Sequence, residues 1–135
     1  SGLVGSEMCI RDSFYRGYFW GICRAQLGEL SQNHELFKRF GIDVITVSTD
    51  DQENTDAMRA DVNANFSMVS DNTYTISQEW KVFNVLGDGV AAPAAFIVGK
   101  NKEILWSHIG STPNDRPPTD YLLAKTLELL KKTTN

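Results

Sequence analysis

Cysteine is scarce. The 135 residues hold only Cys9 and Cys23, too few for the disulfide framework that staples small secreted domains, and this tilts the compartment toward the cytosol. Long hydrophobic runs are missing too: none approaches the roughly 18 to 20 residues that cross a bilayer, and the longest, from Val90 to Val98, is broken by Pro93. Charge of one sign never gathers into a block. The 17 acidic and 13 basic residues give a net charge of -4 and are scattered, so neither nucleic acid nor an anionic membrane is an expected partner. The two histidines, His34 and His108, stand apart from any cysteine or acid at ligand spacing, which leaves no metal site and no cofactor implied.

What is present reads as one compact domain, the length being ample for a single core and short for two. Phe14-Tyr15 ahead of Arg16-Gly17 predicts the tail of a strand entering a loop. From Gly21 to Phe40, the spacing of Leu27, Leu30, Phe37 and Phe40 puts all four on one face of a helix, and Gly41 supplies its left-handed stop. Ile42 to Ser48, rich in β-branched residues, predicts a strand buried on both faces of a parallel sheet. Asp50 is placed to cap the next helix, Glu53 completes a capping box, and the helix runs to about Ala64. A brief strand at 67–69, a short helix marked by Ile76, Trp80 and Phe83, and a glycine-containing loop over 84–92 follow.

Ala94 to Val98 and Glu103 to His108 are strand-like runs joined by the turn-rich Gly99-Lys100-Asn101-Lys102, hence an antiparallel pair. Past the polar, proline-bearing stretch from Ser111 to Pro118, Thr119 caps a last helix whose Leu123, Leu127 and Leu130 share a face. Parallel crossovers early and an antiparallel pair late predict an α/β fold, a mixed central sheet flanked by helices.

Residues 1–12, SGLVGSEMCIRD, show neither helical nor strand periodicity and are expected to form a non-native or disordered arm, leaving 13–135 as the domain. The segment GSEMCIRDS resembles translated sequencing-adapter read-through. On that reading the domain is N-terminally truncated and Cys9 is no functional candidate.

Phe14 to Leu30, FYRGYFWGICRAQLGEL, resembles the active-site segment of peroxiredoxin-like redoxins of the alkyl hydroperoxide reductase and thiol-specific antioxidant family. The strand DVITVS at 43–48 and the segment AAPAAFIV at 91–98 extend the resemblance over nearly all of 13–135. It implies a thioredoxin-like fold and a peroxide-reducing antioxidant oxidoreductase, regenerated by an external thiol or a thioredoxin-type reductant, with a homodimer as the assembly to test for. The departures are as informative as the matches. In the branch with a Trp-Cys-Pro-x-Cys pattern, Trp20 falls on the first cysteine, Gly21 on the proline and Cys23 on the second cysteine, so no intramolecular Cys-x-x-Cys disulfide can close. Against the Pro-x-x-x-Thr-x-x-Cys pattern of true peroxiredoxins, Arg16 falls on the proline, Trp20 on the threonine and Cys23 on the peroxidatic cysteine. The arginine that such enzymes carry before the later strand falls on Pro93. In thioredoxin-fold proteins a proline there is commonly cis, so the resemblance also implies a cis bond at Ala92-Pro93.

Cys23 is therefore the catalytic candidate. The thiolate is the nucleophile, and the amide-rich opening of a helix favours it. Arg16 and Arg24 are expected to add positive charge beside it. Trp20, with Pro93, is expected to wall a groove that shields the thiol or receives an organic substrate. One-cysteine chemistry follows, in which Cys23 attacks a peroxide and becomes a sulfenic acid. The alternative is a redox-inactive thioredoxin-fold binding module: Cys23 is then a buried apolar residue, and the groove around Trp20 and Pro93 grips an extended peptide. His34 lies too far along its helix to serve Cys23 as a base, Asp50 and Asp51 are capping residues, and Gly87-Asp88-Gly89 lacks the context of a phosphate cradle.

Overall fold

The computed structural model describes residues 8–10, 14, 15, 17, 21–99, 103–112 and 115–133. Its middle layer is a five-stranded sheet of β1 (Met8–Ile10), β2 (Ile42–Ser48), β3 (Ser67–Ser70), β4 (Ala94–Gly99) and β5 (Ile104–Ile109), in the order β3-β2-β1-β4-β5. β2 runs parallel to β1 and β3, whereas β4 runs antiparallel to β1 and β5, so the sheet is mixed as expected. Phe14 continues the line of β1, bridging Val47 on one side and Ala94 on the other.

The strand at Met8–Ile10 departs from the expectation that residues 1–12 stand outside the fold. Strand pairing is a backbone property, so three residues need no side-chain alternation to fill the space between β2 and β4. The rest of that segment, 1–7 and 11–12, lies outside the described residues.

Two helices, α1 (Gly21–Gln32) and α2 (His34–Arg39), replace the single helix expected over 21–40. The break has a local cause: the Asn33 side-chain amide donates to the Glu29 carbonyl at 2.8 Å, and its φ of -104° and ψ of 5° leave the helical basin. Leu27, Leu30 and Phe37 are buried as their spacing predicts, while Phe40 closes α2 and stays 44% exposed.

α3 (Gln52–Val62) is capped by Asp51 rather than Asp50, its carboxylate accepting from the Asn54 N–H at 2.8 Å. α4 (Thr75–Glu79) is shorter than expected and is held from outside: the buried Asp71 carboxylate accepts from the amides of Ile76 and Ser77 and from the Ser77 hydroxyl, at 2.7 to 3.0 Å. In α5 (Thr119–Thr133) the inward face is carried by Leu122 and Thr126, with Leu123 and Leu127 half-buried beside them. The Thr119 hydroxyl is buried without a hydrogen-bond partner and so does not cap α5; the side chain of Leu130 lies outside the described residues.

Alternation along the strands divides the core. Ile42 and Val44 of β2 and Ala95 and Ile97 of β4 face a cluster built with Leu27 and Leu30 of α1, Phe37 of α2, Met58 of α3 and Leu122 of α5. Val47 of β2 and Ala94, Phe96 and Val98 of β4 face the opposite cluster, with Phe14, Val82 and Ala91, covered by Ile76 of α4 and by Trp80. Helices thus flank both faces, most of them on the first.

Candidate active site

Tyr15 and Cys23 define the site at the level of the backbone. Tyr15 leaves the sheet centre, where its N–H donates to the Val47 carbonyl at 2.9 Å, and its side chain enters the helical face. Cys23 follows in the first turn of α1, where backbone N–H groups have no intrahelical partner. Both are buried, and the cysteine has no exposed surface.

A cation reaches the sulfur from the other end of the chain. Arg116, on the loop ahead of α5, donates from Nη1 to Cys23 Sγ at 3.2 Å and to Gln26 Oε1 at 3.1 Å. Gln26 stands three residues past Cys23 on the same helical face and donates from Nε2 to the Pro117 carbonyl at 3.2 Å. The amide therefore fastens the arginine twice, once by its head group and once by the backbone of the next residue. A guanidinium at this distance stabilises negative charge on sulfur by a charge-assisted hydrogen bond.

Tyr15 brings a phenol into the same site. Burial pushes its pKa up to about 12; the nearby Ser48 and Thr55 hydroxyls pull it down, and the charges of Asp50 and Cys23 push it further up. The hydroxyl is enclosed and makes no hydrogen bond of good geometry. It is thus a neutral donor held close to the sulfur.

The residues expected around Cys23 are only partly gathered there. Arg24 extends its guanidinium to Asp61 of α3, 3.5 Å away at the exposed surface. Arg16 and Trp20 lie outside the described residues. Pro93 is buried, and no peptide bond among the described residues is cis, so the expectation for Ala92-Pro93 is corrected to trans. The flanking backbone accounts for this. Ala92 N–H reaches the Val82 carbonyl at 2.9 Å, Ala94 N–H reaches that of Phe14 at 3.2 Å, and the Pro93 carbonyl accepts from Gly110 N–H at 2.7 Å, which together hold an extended run.

Sequence reasoning missed Arg116, Gln26 and a third feature: His108 is not isolated but lies 2.8 Å from the Asp115 carboxylate. His34 opens α2 beside Phe66, and burial lowers its proton affinity; it lines a cleft of about 530 Å³ at the start of β2 and β3, away from Cys23. Among the described residues no group of three or more His, Cys, Asp or Glu could hold a metal ion, and no helix is long and apolar enough to cross a membrane.

A mixed sheet with a buried cysteine at the mouth of the helix that follows the central strand defines a thioredoxin-like redoxin. Comparison with known proteins carries this one step further: the chain belongs to the AhpC/TSA family, whose profile matches residues 13–107. Among solved structures it is similar to AhpC of Mycobacterium tuberculosis, at 26% identity and a TM-score of 0.79 over 94% of this chain and 70% of that one. It resembles AhpC of Enterococcus faecalis at 19% identity and a TM-score of 0.82, covering 96% and 79%. A mitochondrial 2-Cys peroxiredoxin from Plasmodium falciparum gives 18% and 0.84, covering 99% and 82%. No curated protein sequence matches the chain. Family membership, together with the likeness to the Mycobacterium tuberculosis protein, supports a peroxiredoxin-like peroxidase function; the other two neighbours show the fold.

Proposed function

We propose that the protein reduces peroxides through Cys23 alone, as a one-cysteine thiol peroxidase. The observation that carries this reading is the Arg116 Nη1 contact with Cys23 Sγ at 3.2 Å, a cation brought to a buried sulfur across 93 residues of sequence. In the reaction the Cys23 thiolate attacks one oxygen of ROOH. An S–O bond forms as the O–O bond breaks, and the departing RO⁻ takes up a proton to leave as an alcohol, or as water when the substrate is hydrogen peroxide. The sulfenic acid condenses with an external thiol, releasing water and forming a mixed disulfide. A second thiol then resolves it, returning Cys23 and an external disulfide.

Arg116 holds the negative charge on sulfur before attack and lies beside the departing oxygen afterwards. Gln26 and Tyr15 keep the site fixed and dry. Arg16 and Trp20 are proposed to wall the approach, and Pro93 supports it from the sheet. The reductant is a small thiol or a thioredoxin-type protein, and a homodimer is the assembly to test for.

The deciding experiment follows hydrogen peroxide loss in the presence of a thiol reductant for the wild-type chain and for Cys23→Ser. Consumption by the wild type and none above background by the variant is the expected result; equal rates would remove the catalytic assignment. A second reading, a redox-inactive binding module, is favoured by one observation, the 0% exposure of Cys23. Alkylation that proceeds only after denaturation supports the module instead.

A further inference from the structure

The loop that carries Arg116 has its own fastening. Asp115, the residue before it, makes four polar contacts with the described residues of β5 and the turn that leaves it. Its Oδ1 lies 2.8 Å from His108 Nε2, and its Oδ2 accepts from the Ser111 amide at 2.9 Å and the Ser111 hydroxyl at 3.2 Å. Its own N–H donates to the Thr112 carbonyl at 3.1 Å. The Ser111 amide, followed by His108, holds this carboxyl below the usual carboxylate range, so it is ionised at neutral pH. An ionised carboxylate only accepts; His108 Nε2 therefore carries the hydrogen.

The backbone on either side is equally constrained. Gly110 donates to the Pro93 carbonyl at 2.7 Å, and a methyl group placed on it would run into the Asp115 carbonyl oxygen and lie 2.9 Å from Pro93 Cγ. Asp115 thus packs where a side chain at 110 would otherwise be. On the far side Arg116 precedes Pro117, and Pro117 precedes Pro118, which restricts both residues to extended conformations. His108 is steadied by the Trp106 ring, stacked at 6.4 Å and 15°.

We propose that Asp115, oriented by His108, is a positioning residue that holds Arg116 against Cys23. This rests on the reading of Cys23 as the reacting thiol, and its test is arranged so that the two can fail separately. Neither Asp115 nor His108 touches the sulfur in any described contact; both act through the arginine that follows. The clasp fixes where the loop returns to the sheet, and the guanidinium then has one short path to the sulfur.

Two measurements on the full chain test it. The first is hydrogen exchange at the Arg116 Nε–Hε resonance by NMR. Exchange is slow in the wild type, about tenfold faster in Asp115→Asn and His108→Ala, and slow again in His108→Gln, whose amide can still donate to Oδ1. Unchanged exchange in both Asp115→Asn and His108→Ala overturns the clasp whatever Cys23 does. The second is the rate of Cys23 oxidation by hydrogen peroxide. Asp115→Asn lowers it about tenfold, the scale of a slightly misplaced reacting partner, and lowers it no further in an Arg116→Met background. An equal loss with and without Arg116 also overturns the proposal. Should Asp115→Asn fail to fold, the His108→Ala and His108→Gln pair on the exposed edge of β5 carries both readouts. A wild-type chain inert to peroxide, with Arg116 protected and the variants unprotected, sinks the reading of Cys23 and leaves the clasp standing.

Discussion

On one face of the sheet Phe14, Trp80 and Phe96 pack tilted or edge to face, with ring centroids 4.8 to 6.1 Å apart. On the other, a sulfur, a phenol and the polar groups of Thr46, Ser48 and Thr55 are buried among Leu27, Leu30 and Met58, and a guanidinium reaches in from the edge. The aromatic face is built from contacts that tolerate no vacancy and ask for no partner. The helical face accepts buried polar groups that each need one, and it leaves the Tyr15 hydroxyl without a good hydrogen bond. The aromatic packing therefore lies across the sheet from the buried sulfur and its polar neighbours, which occupy the side that costs more to assemble.

Breaking the aromatic face should produce the largest change. Phe96→Ala removes a ring from between Phe14 and Trp80 and is expected to cost about 3 to 5 kcal/mol in urea unfolding, with the oxidation rate of Cys23 per folded molecule retained. A parallel loss of that rate would show the two faces to be coupled. Arg116→Met works the other way. Peroxide reactivity is expected to fall about thirtyfold, whereas the melting temperature moves little, because the arginine is half-buried at the rim; a variant as fast as the wild type removes Arg116 from the site.

Alkali sharpens the contrast. The Tyr15 phenol, pushed from 10.0 up to about 12, holds its proton more tightly in the folded state. Its contribution is intact below pH 10 and drains away as pH rises from 10 to 12, a change of about 2 to 3 kcal/mol. Tyr15→Phe should flatten that slope, and an unchanged alkaline unfolding curve would contradict the burial of the phenol. The smallest effect belongs to Arg24→Ala. Its partner Asp61 is 3.5 Å away and both side chains are more than two-fifths exposed, so less than about 1 kcal/mol of stability is at stake and peroxide reactivity should stay within about twofold. A marked fall in reactivity would return Arg24 to the neighbourhood of the sulfur.

Local signals carried the architecture. The β-branched run at 42–48, the apolar spacing of Leu27, Leu30 and Phe37, and the turn-rich joint after Gly99 each name an element without reference to distant residues, and the mixed sheet they imply is observed, with the unexpected strand Met8–Ile10 at its centre. Where reading erred, a nearby competitor decided. Asn33 bonded back to Glu29 and cut one helix into two, Asp51 took the cap from Asp50, and Asp71 anchored α4 from outside it. Cys23 was legible because a cysteine beside a predicted helix start is visible in sequence. Arg116 was not: a lone cation in a polar, proline-bearing loop reads as solvated, and nothing local relates it to a sulfur 93 residues earlier. The one hint was the pair of prolines after it, which makes a stiff pedestal of a segment that otherwise looks like slack. His108 and Asp115, seven residues apart across a turn, share no periodicity that would pair them.

The position of β1 carries a further lesson about trimming this chain. A variant begun at residue 13 would keep Phe14 astride Val47 and Ala94, yet the edges at 42–44 and 97–99 would look at each other across an empty lane. Such a lane offers hydrogen-bonding groups on both banks at once, so a short extended peptide supplied separately would be captured there and would knit the parallel and antiparallel halves back into one sheet.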